Sequence, residues 1–456
     1  MTDRRTFLAT LAAAGALARV PRLRGPAAPR PAGPAAARPS ADQLAWQDLE
    51  VGMFVHFGPA TWRDPAHPDV DVPLASLHFD IDTDRWVEVA RGLGARYVVM
   101  VAKHQEGFCL WPTQTTDYSI LNTPWKGGRG DVLADLAASC RRAGLGMGVY
   151  CSPRDDAFGA GVGGTCASPV RQAMYNAYYR QQLTELLTRY GALTEIWFDG
   201  STVVPVGDLL AAHAPHAMIF QGPQATIRWV GNEDGFAPYP SWDTLPRAAA
   251  ATGTATAKDS EPAGGAWLPL ECDVSIRRPE WFWHPGQDAK LLALDALLEI
   301  YYRSVGRGAQ LLLNVPPDAS GRIPEGDAAR ATALGDEVRR RFGRSVGETS
   351  GEGRTVELRL ATPAPVDHVV IEEALDDGER VRGYRLEGLR GSAWMPLGTG
   401  VSVGHKRIQP VPGAGAPLSA IRFAVTRSAG TPRIRRLAAF ATGAAPPAGW
   451  ADPGPR

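Results

Sequence analysis

Apolar residues fall along this chain in short runs that each close on a polar side chain, and the runs alternate with longer stretches of helical periodicity. The candidate strands are Val51–Phe57, Arg96–Lys103, Leu145–Ser152, Thr194–Asp199, Ala217–Gln221, Ile227–Gly231, Leu268–Val274 and Gln310–Val315. Short runs rich in Val, Ile, Phe and Trp suit strands buried on both faces. Amphipathic helices are expected between several of them, over Asp84–Leu93, Asp131–Ala143, Val170–Tyr190 and Ala289–Val305. Eight strands with intervening helices predict an α/β fold, a (β/α)8-type barrel over residues 41–343. The barrel is expected to be irregular in two places. Ala217–Gln221 and Ile227–Gly231 are joined by a short loop, and Glu233–Trp267 is long and rich in Gly, Pro and Ala.

The pattern changes near Arg344. Thr355–Leu360, His368–Ile371, Tyr384–Leu386, Ile421–Val425 and Ile434–Ala439 are short β-like runs split by Gly, Pro and Asp turns. They predict a C-terminal antiparallel β-sandwich over residues 344–442. Residues 443–456 are rich in Pro and Gly and are expected to be an unstructured tail.

Barrel enzymes carry their chemistry at the carboxyl ends of the strands. Those ends read His56, Lys103–His104, Tyr150–Ser152, Asp199, Gln221, Glu233, Glu271 and Asn314. So many polar groups, each following an apolar run, are hard to account for as core. The segment Thr194–Gly200 is the sharpest of them. Side chains alternate along a strand, so Trp197 and Asp199 share a face. A carboxylate beside an aromatic ring at the mouth of an apolar strand suits a sugar-cleaving site; the structural alternative is a capping Asp. Glycoside hydrolysis usually needs a second carboxyl. Glu106, Glu233, Glu271 and Glu280 are the candidates, and Glu233 stands where a β-run breaks into a polar, glycine-flanked loop.

Composition narrows the field. The 456 residues carry 48 basic and 48 acidic side chains, which argues against nucleic acid or an anionic membrane as the main partner. Five cysteines are scattered with no CxxC pair, so neither a fully paired disulfide framework nor a zinc site is expected, a single disulfide stays open, and no metal is assigned. At the N-terminus Arg4 and Arg5 precede Phe7, Leu8 and a short, weakly apolar stretch. This resembles a bacterial twin-arginine export signal, followed to residue 40 by a Pro/Ala/Arg-rich linker. Residues 1–40 are therefore set apart from the fold, and an exported protein is expected.

Long ordered motifs then carry a family resemblance. VHFG at Val55–Gly58, AKHQEGFCLW at Ala102–Trp111, TDYSI at Thr116–Ile120, EIWFDG ending at Gly200, RWVGNE ending at Glu233, ECDVSIRRPEWFWHP from Glu271 and LLLNVPPD from Leu311 resemble the family 29 glycoside hydrolases. These are retaining α-L-fucosidases, and the GNE and ECDVSIR segments are more similar to their α-1,3/1,4-selective branch. The resemblance implies Asp199 as nucleophile, Glu233 as acid/base, and His56, His104, Tyr150, Trp197 and Trp281 as substrate-binding residues. It implies no cofactor, and fucosylated oligosaccharides or glycoconjugates as substrates. Glu271 stays open as the rival acid/base. The rival functions are a broad-specificity α-L-fucosidase, a retaining glycosidase for another sugar, and a catalytically inactive sugar-binding protein on the same scaffold. The chain also departs from the pattern. His104-Gln105-Glu106 stands where the family commonly has His-His-Asp, and SPRDDAFG replaces the more usual SPWD. The stretch after the first strand, Ala60–Pro73, is unlike the usual Glu-containing one.

Overall fold

The computed structural model describes residues 37–63, 72–411 and 416–450. The proposed export signal lies outside them, as do part of the stretch after the first strand and the last six residues.

The chain enters through α1 (Ala41–Gln47), which Ser40 caps with its hydroxyl while Gln43 reaches back to the Ser40 N–H. The barrel strands follow in order: β1 (Val51–Val55), β2 (Tyr97–Lys103), β3 (Gly146–Cys151), β4 (Glu195–Trp197), β5 (Met218–Phe220) and β6 (Arg228–Trp229). After a small ladder of β7 (Thr244–Leu245) and β8 (Ala266–Trp267) come β9 (Leu270–Ser275) and β10 (Gln310–Asn314). β1 to β6, β9 and β10 form one sheet in the order β5–β4–β3–β2–β1–β10–β9–β6, and every pairing in it is parallel. A parallel bridge between Phe220 and Ile227 draws its two edges together, so the barrel is nearly closed.

Helices cover the outside. Asp82, Asp131 and Ser168 cap α2 (Thr83–Leu93), α3 (Val132–Ala143) and α4 (Pro169–Arg189), each accepting a backbone N–H of the first turn. Gly94 and Gly144 end α2 and α3 at φ 92° and 68°, a left-handed conformation that costs glycine nothing. α5 (Gly207–His213), the short α6 (Arg247–Ala250), α7 (Leu294–Arg303) and α8 (Glu325–Phe342) complete the set.

Strand alternation sorts the apolar residues into two cores. Outward residues such as Met53, Val98, Met100, Val149 and Ile196 meet the helices. Inward residues fill the barrel: Phe54, Tyr97, Val99, Tyr150, Trp197, Phe220 and Leu312, closed from below by Trp46 of α1. Two carboxyl side chains, Glu195 and Glu271, are also fully buried there. Trp46 Nε1 donates to Glu195 at 2.9 Å, and Tyr97 Oη lies 3.3 Å from Glu271. Burial pushes Glu195 up to about 7, and burial with the Glu195 charge drives Glu271 well above the usual carboxylate range. Burial thus favours the protonated form of both.

Eight further strands form two antiparallel four-stranded sheets, one of β11 (Gly347–Glu352), β18 (Arg433–Phe440), β13 (His368–Glu373) and β16 (Arg407–Pro410), the other of β12 (Thr355–Ala364), β17 (Leu418–Ser428), β14 (Val381–Arg390) and β15 (Ala393–Gly400). This is the expected β-sandwich. It docks through polar pairs: His405 with Asp48 at 2.7 Å, Tyr302 with His368 at 3.0 Å, and Tyr239 Oη donating to Ser402 O at 3.1 Å. Residues 443–450 pack back on the protein, with the Trp450 ring beside the Arg407 guanidinium and its carbonyl accepting from Arg307. All five cysteines are free, and four are buried.

Candidate active site

The carboxyl ends of the barrel strands surround a cavity of about 370 Å³. It is lined by His56, His104, Tyr150, Trp197, Asp199, Glu233 and Trp281, all seven of the residues singled out in the sequence.

Asp199 stands two residues past the end of β4 and is half-buried. Its Oδ2 accepts two hydrogen bonds, from Tyr150 Oη and from Gln105 Nε2, each at 2.9 Å. Burial and the adjacent Asp199 charge push the Tyr150 hydroxyl well above its usual range, so it stays a donor. One carboxylate oxygen is thus held and the other is spared. The turn after Asp199 is fixed by Gln221, whose Oε1 accepts from Gly200 N at 2.7 Å.

The histidines are set by their outer nitrogens. Asn314 Nδ2 donates to Trp281 O at 2.8 Å and lies 3.0 Å from Ser275 Oγ, so its Oδ1 faces His56 Nδ1 at 2.9 Å. Nδ1 then carries the hydrogen, leaving Nε2 as an acceptor. Burial, with repulsion from His104, lowers His56 to about 3 and keeps it neutral. His104 Nδ1 sits 3.0 Å from Glu106 Oε2, and its ring stacks on Tyr150 at 5.7 Å. Trp197 lies flat on Phe220 with ring centroids 3.5 Å apart and donates Nε1–H to Glu271 at 2.8 Å. Trp281 stands 5.0 Å from the His56 ring.

Among the four candidates for the second carboxyl, Glu233 alone lines the cavity. Glu106 is engaged by His104, Glu280 by Lys290, and Glu271 lies fully buried behind Trp197. Glu233 is 45% exposed and 3.8 Å from Arg278 Nη1, while Arg278 Nη2 holds Asp234 at 2.7 Å. Asn232 and Asp234 face away, into a second, more open cleft of about 770 Å³ whose walls include Tyr239, Trp242 and Lys258.

Sequence reasoning missed Asp273. It lies two residues beyond Glu271 on β9, and so on the same inward face one layer higher. It lines the cavity, accepts Trp229 Nε1–H at 2.6 Å, and is raised to about 7 by burial, with Glu233 and Asp199 nearby adding to the rise. Arg228 and Glu271 do not pair, although they stand on neighbouring strands. Arg228 pairs in register with Leu270, and Trp229 with Glu271, so Arg228 points to the opposite face. There it donates to Trp242 O and Ser260 Oγ. Lys103 pairs with Asp155 at 2.9 Å, and both are fully buried.

Residues 74–340 match the pattern of the alpha-L-fucosidase family. The chain is 36% identical over 423 residues to the Oryza sativa subsp. japonica protein named "Putative alpha-L-fucosidase 1", covering 81% of this chain and 79% of that protein. It is 38% identical over 315 residues to alpha-L-fucosidase 1 of Arabidopsis thaliana, covering 63% and 58%. Its fold is similar to a glycoside hydrolase 29 family member from an unknown rumen bacterium, with a TM-score of 0.77, 30% identity and coverage of 90% and 78%.

Proposed function

Because this chain belongs to the alpha-L-fucosidase family, a family of glycoside hydrolases, we propose that its cavity cleaves α-L-fucosides in two displacements with retention of configuration. The observation that carries this reading is the double hydrogen bond to Asp199 Oδ2, which leaves Oδ1 free for attack. In the first step Oδ1 bonds to the anomeric carbon, the glycosidic C–O bond breaks, and Glu233 passes its proton to the departing oxygen. In the second step Glu233 takes a proton from water, the water oxygen bonds to the anomeric carbon, and Asp199 leaves as carboxylate. His56 Nε2 accepts from a fucose hydroxyl and His104 holds another. Trp197 forms the floor and Trp281 a wall for the sugar methyl. A methyl in an apolar pocket is worth about 1–3 kcal/mol.

The proposed substrates are glycans with fucose α-1,3- or α-1,4-linked to N-acetylglucosamine. The GNE and ECDVSIR motifs support this linkage class. The cleft beyond Glu233 gives a neighbouring sugar room to bind, and such remote contacts raise turnover when they act in the transition state. Export through Arg4 and Arg5 belongs to the same reading, and retention in the cytoplasm of a variant with both replaced by Lys would support it.

The test of the mechanism is Asp199→Ala with an aryl α-L-fucoside. Nearly all hydrolysis should vanish, and azide should restore part of it. Wild-type turnover in the folded variant, or inverted fucose as the first product seen by NMR, overturns the assignment. For linkage, faster release from an α-1,2-fucoside or an aryl fucoside than from a branched α-1,3/1,4 trisaccharide leaves a broad-specificity enzyme.

A further inference from the structure

Two departures from the family pattern meet in space. Gln105 stands in place of the usual second His, and its Nε2 donates to Asp199 Oδ2 at 2.9 Å. Arg154 stands in place of the usual Trp, and its Nη1 donates to Gln105 Oε1 at 3.2 Å. The remaining guanidinium nitrogens are engaged by Asp156, at 2.7 and 3.1 Å. The Asp156 N–H in turn donates to the Gln105 carbonyl at 2.9 Å, tying the loop after β3 to the loop after β2.

We propose that Arg154 is a positioning residue for the nucleophile, acting through Gln105. A primary amide beside a carboxylate can face it with NH₂, which attracts, or with C=O, which repels. An isolated glutamine is free to turn. Here a guanidinium, which only donates, meets one end of the amide, and a carboxylate, which only accepts, meets the other. Only one orientation satisfies both, and it is the one that gives Asp199 a donor. Arg154 is 40% exposed, so water and salt weaken its direct field at the nucleophile. Its effect is geometric: it keeps Asp199 Oδ2 occupied and Oδ1 aimed. A histidine in the place of Gln105 would change charge between about pH 5 and 8. The amide does not, so this support is constant over the range where many glycosidases work.

The inference rests on Asp199 as the nucleophile. The experiment compares Arg154→Ala, Gln105→Ala, the double variant and Arg154→Lys on an aryl fucoside with a good leaving group, whose departure needs no proton from Glu233, so that the comparison reads Asp199. Gln105→Ala should lower kcat by about 10- to 100-fold, the range of a hydrogen bond to a charged group. Arg154→Ala should lower kcat by about 10-fold with little change in KM, and Arg154→Lys should recover most of it. The double variant should be no worse than Gln105→Ala, because Arg154 has nothing left to orient. Wild-type kcat in Arg154→Ala overturns the proposal, as does a loss that adds fully to that of Gln105→Ala. The two readings separate cleanly: an active Asp199→Ala removes the nucleophile assignment, whereas an inactive one beside an unimpaired Arg154→Ala removes only the relay.

Discussion

Glu271 accepts the indole N–H of Trp197 from beneath the floor of the fucosidase cavity, at 2.8 Å. The same carboxyl is a candidate acid/base by sequence alone, yet the ring it supports separates it from the cavity. Glu271→Ala leaves that indole N–H without a partner and opens a hole next to Glu195. We expect a stability loss of about 1–3 kcal/mol in chemical denaturation. Turnover of glycans and activated aryl fucosides should fall by the same factor. A loss confined to poor leaving groups would give Glu271 the proton-transfer role instead.

Glu233→Ala should behave in the opposite way. Only substrates with poor leaving groups need a proton, so glycans should lose about 10²–10⁴-fold in kcat/KM while activated aryl fucosides lose far less in their first step. Single-turnover rates across a series of aryl leaving groups would check this through the slope against leaving-group acidity. An unchanged slope rules Glu233 out.

Asn314 determines which nitrogen of His56 faces the cavity. Asn314→Ala frees the ring to take the other tautomer and leaves Nδ1 buried without its partner. We expect KM for fucosides to rise about 5- to 150-fold, equivalent to about 1–3 kcal/mol, together with a lower thermal midpoint, because Asn314 is fully buried and its partners lose their hydrogen bonds. Titration calorimetry with fucose on the variant would measure the loss directly.

Stability should fall from pH 6.5 to pH 8. Burial raises Glu195, Asp273 and Glu373 to about 7. A carboxyl raised in this way binds its proton more tightly folded than unfolded. Its stabilising contribution is complete below the ordinary carboxylate value and is lost as pH climbs through about 7. His56, lowered to about 3, works in reverse, since its contribution is lost only as pH falls through about 6.5. Between pH 8 and 6.5 the carboxyls dominate, and Tm should rise by about 1–3 °C on acidification. Glu195→Gln should flatten the curve; an unchanged slope in that variant would remove Glu195 from the account.

All eight barrel strands were legible as apolar runs, because parallel strands buried on both faces have no polar alternation to blur them. The sandwich was harder. Gly347–Glu352, Ala393–Gly400 and Arg407–Pro410 carry Gly, Pro and charge, and only pairing with neighbours makes them strands. Asp199, His56 and His104 announced themselves by standing at strand ends. Asp273 did not, because it lies inside a strand whose inward face already held Glu271. Attention to the two-residue period would have found it, and would also have separated Arg228 from Glu271. The meeting of Gln105 with Arg154 joins positions 49 apart in the chain. No local pattern could reveal it.

Trp46 limits how far the N-terminus could be shortened. It is the cork of the barrel, and α1, which carries it, begins at the residue after Ser40, close behind the segment that resembles an export leader. A cut at the first β-strand would remove both the cork and the cap that seats it. Water would then reach Glu195 and Glu271 from below, both would ionise, and the floor under Trp197 would lose its footing. Careless processing at the N-terminus would thus surface as a catalytic defect at the far end of the barrel.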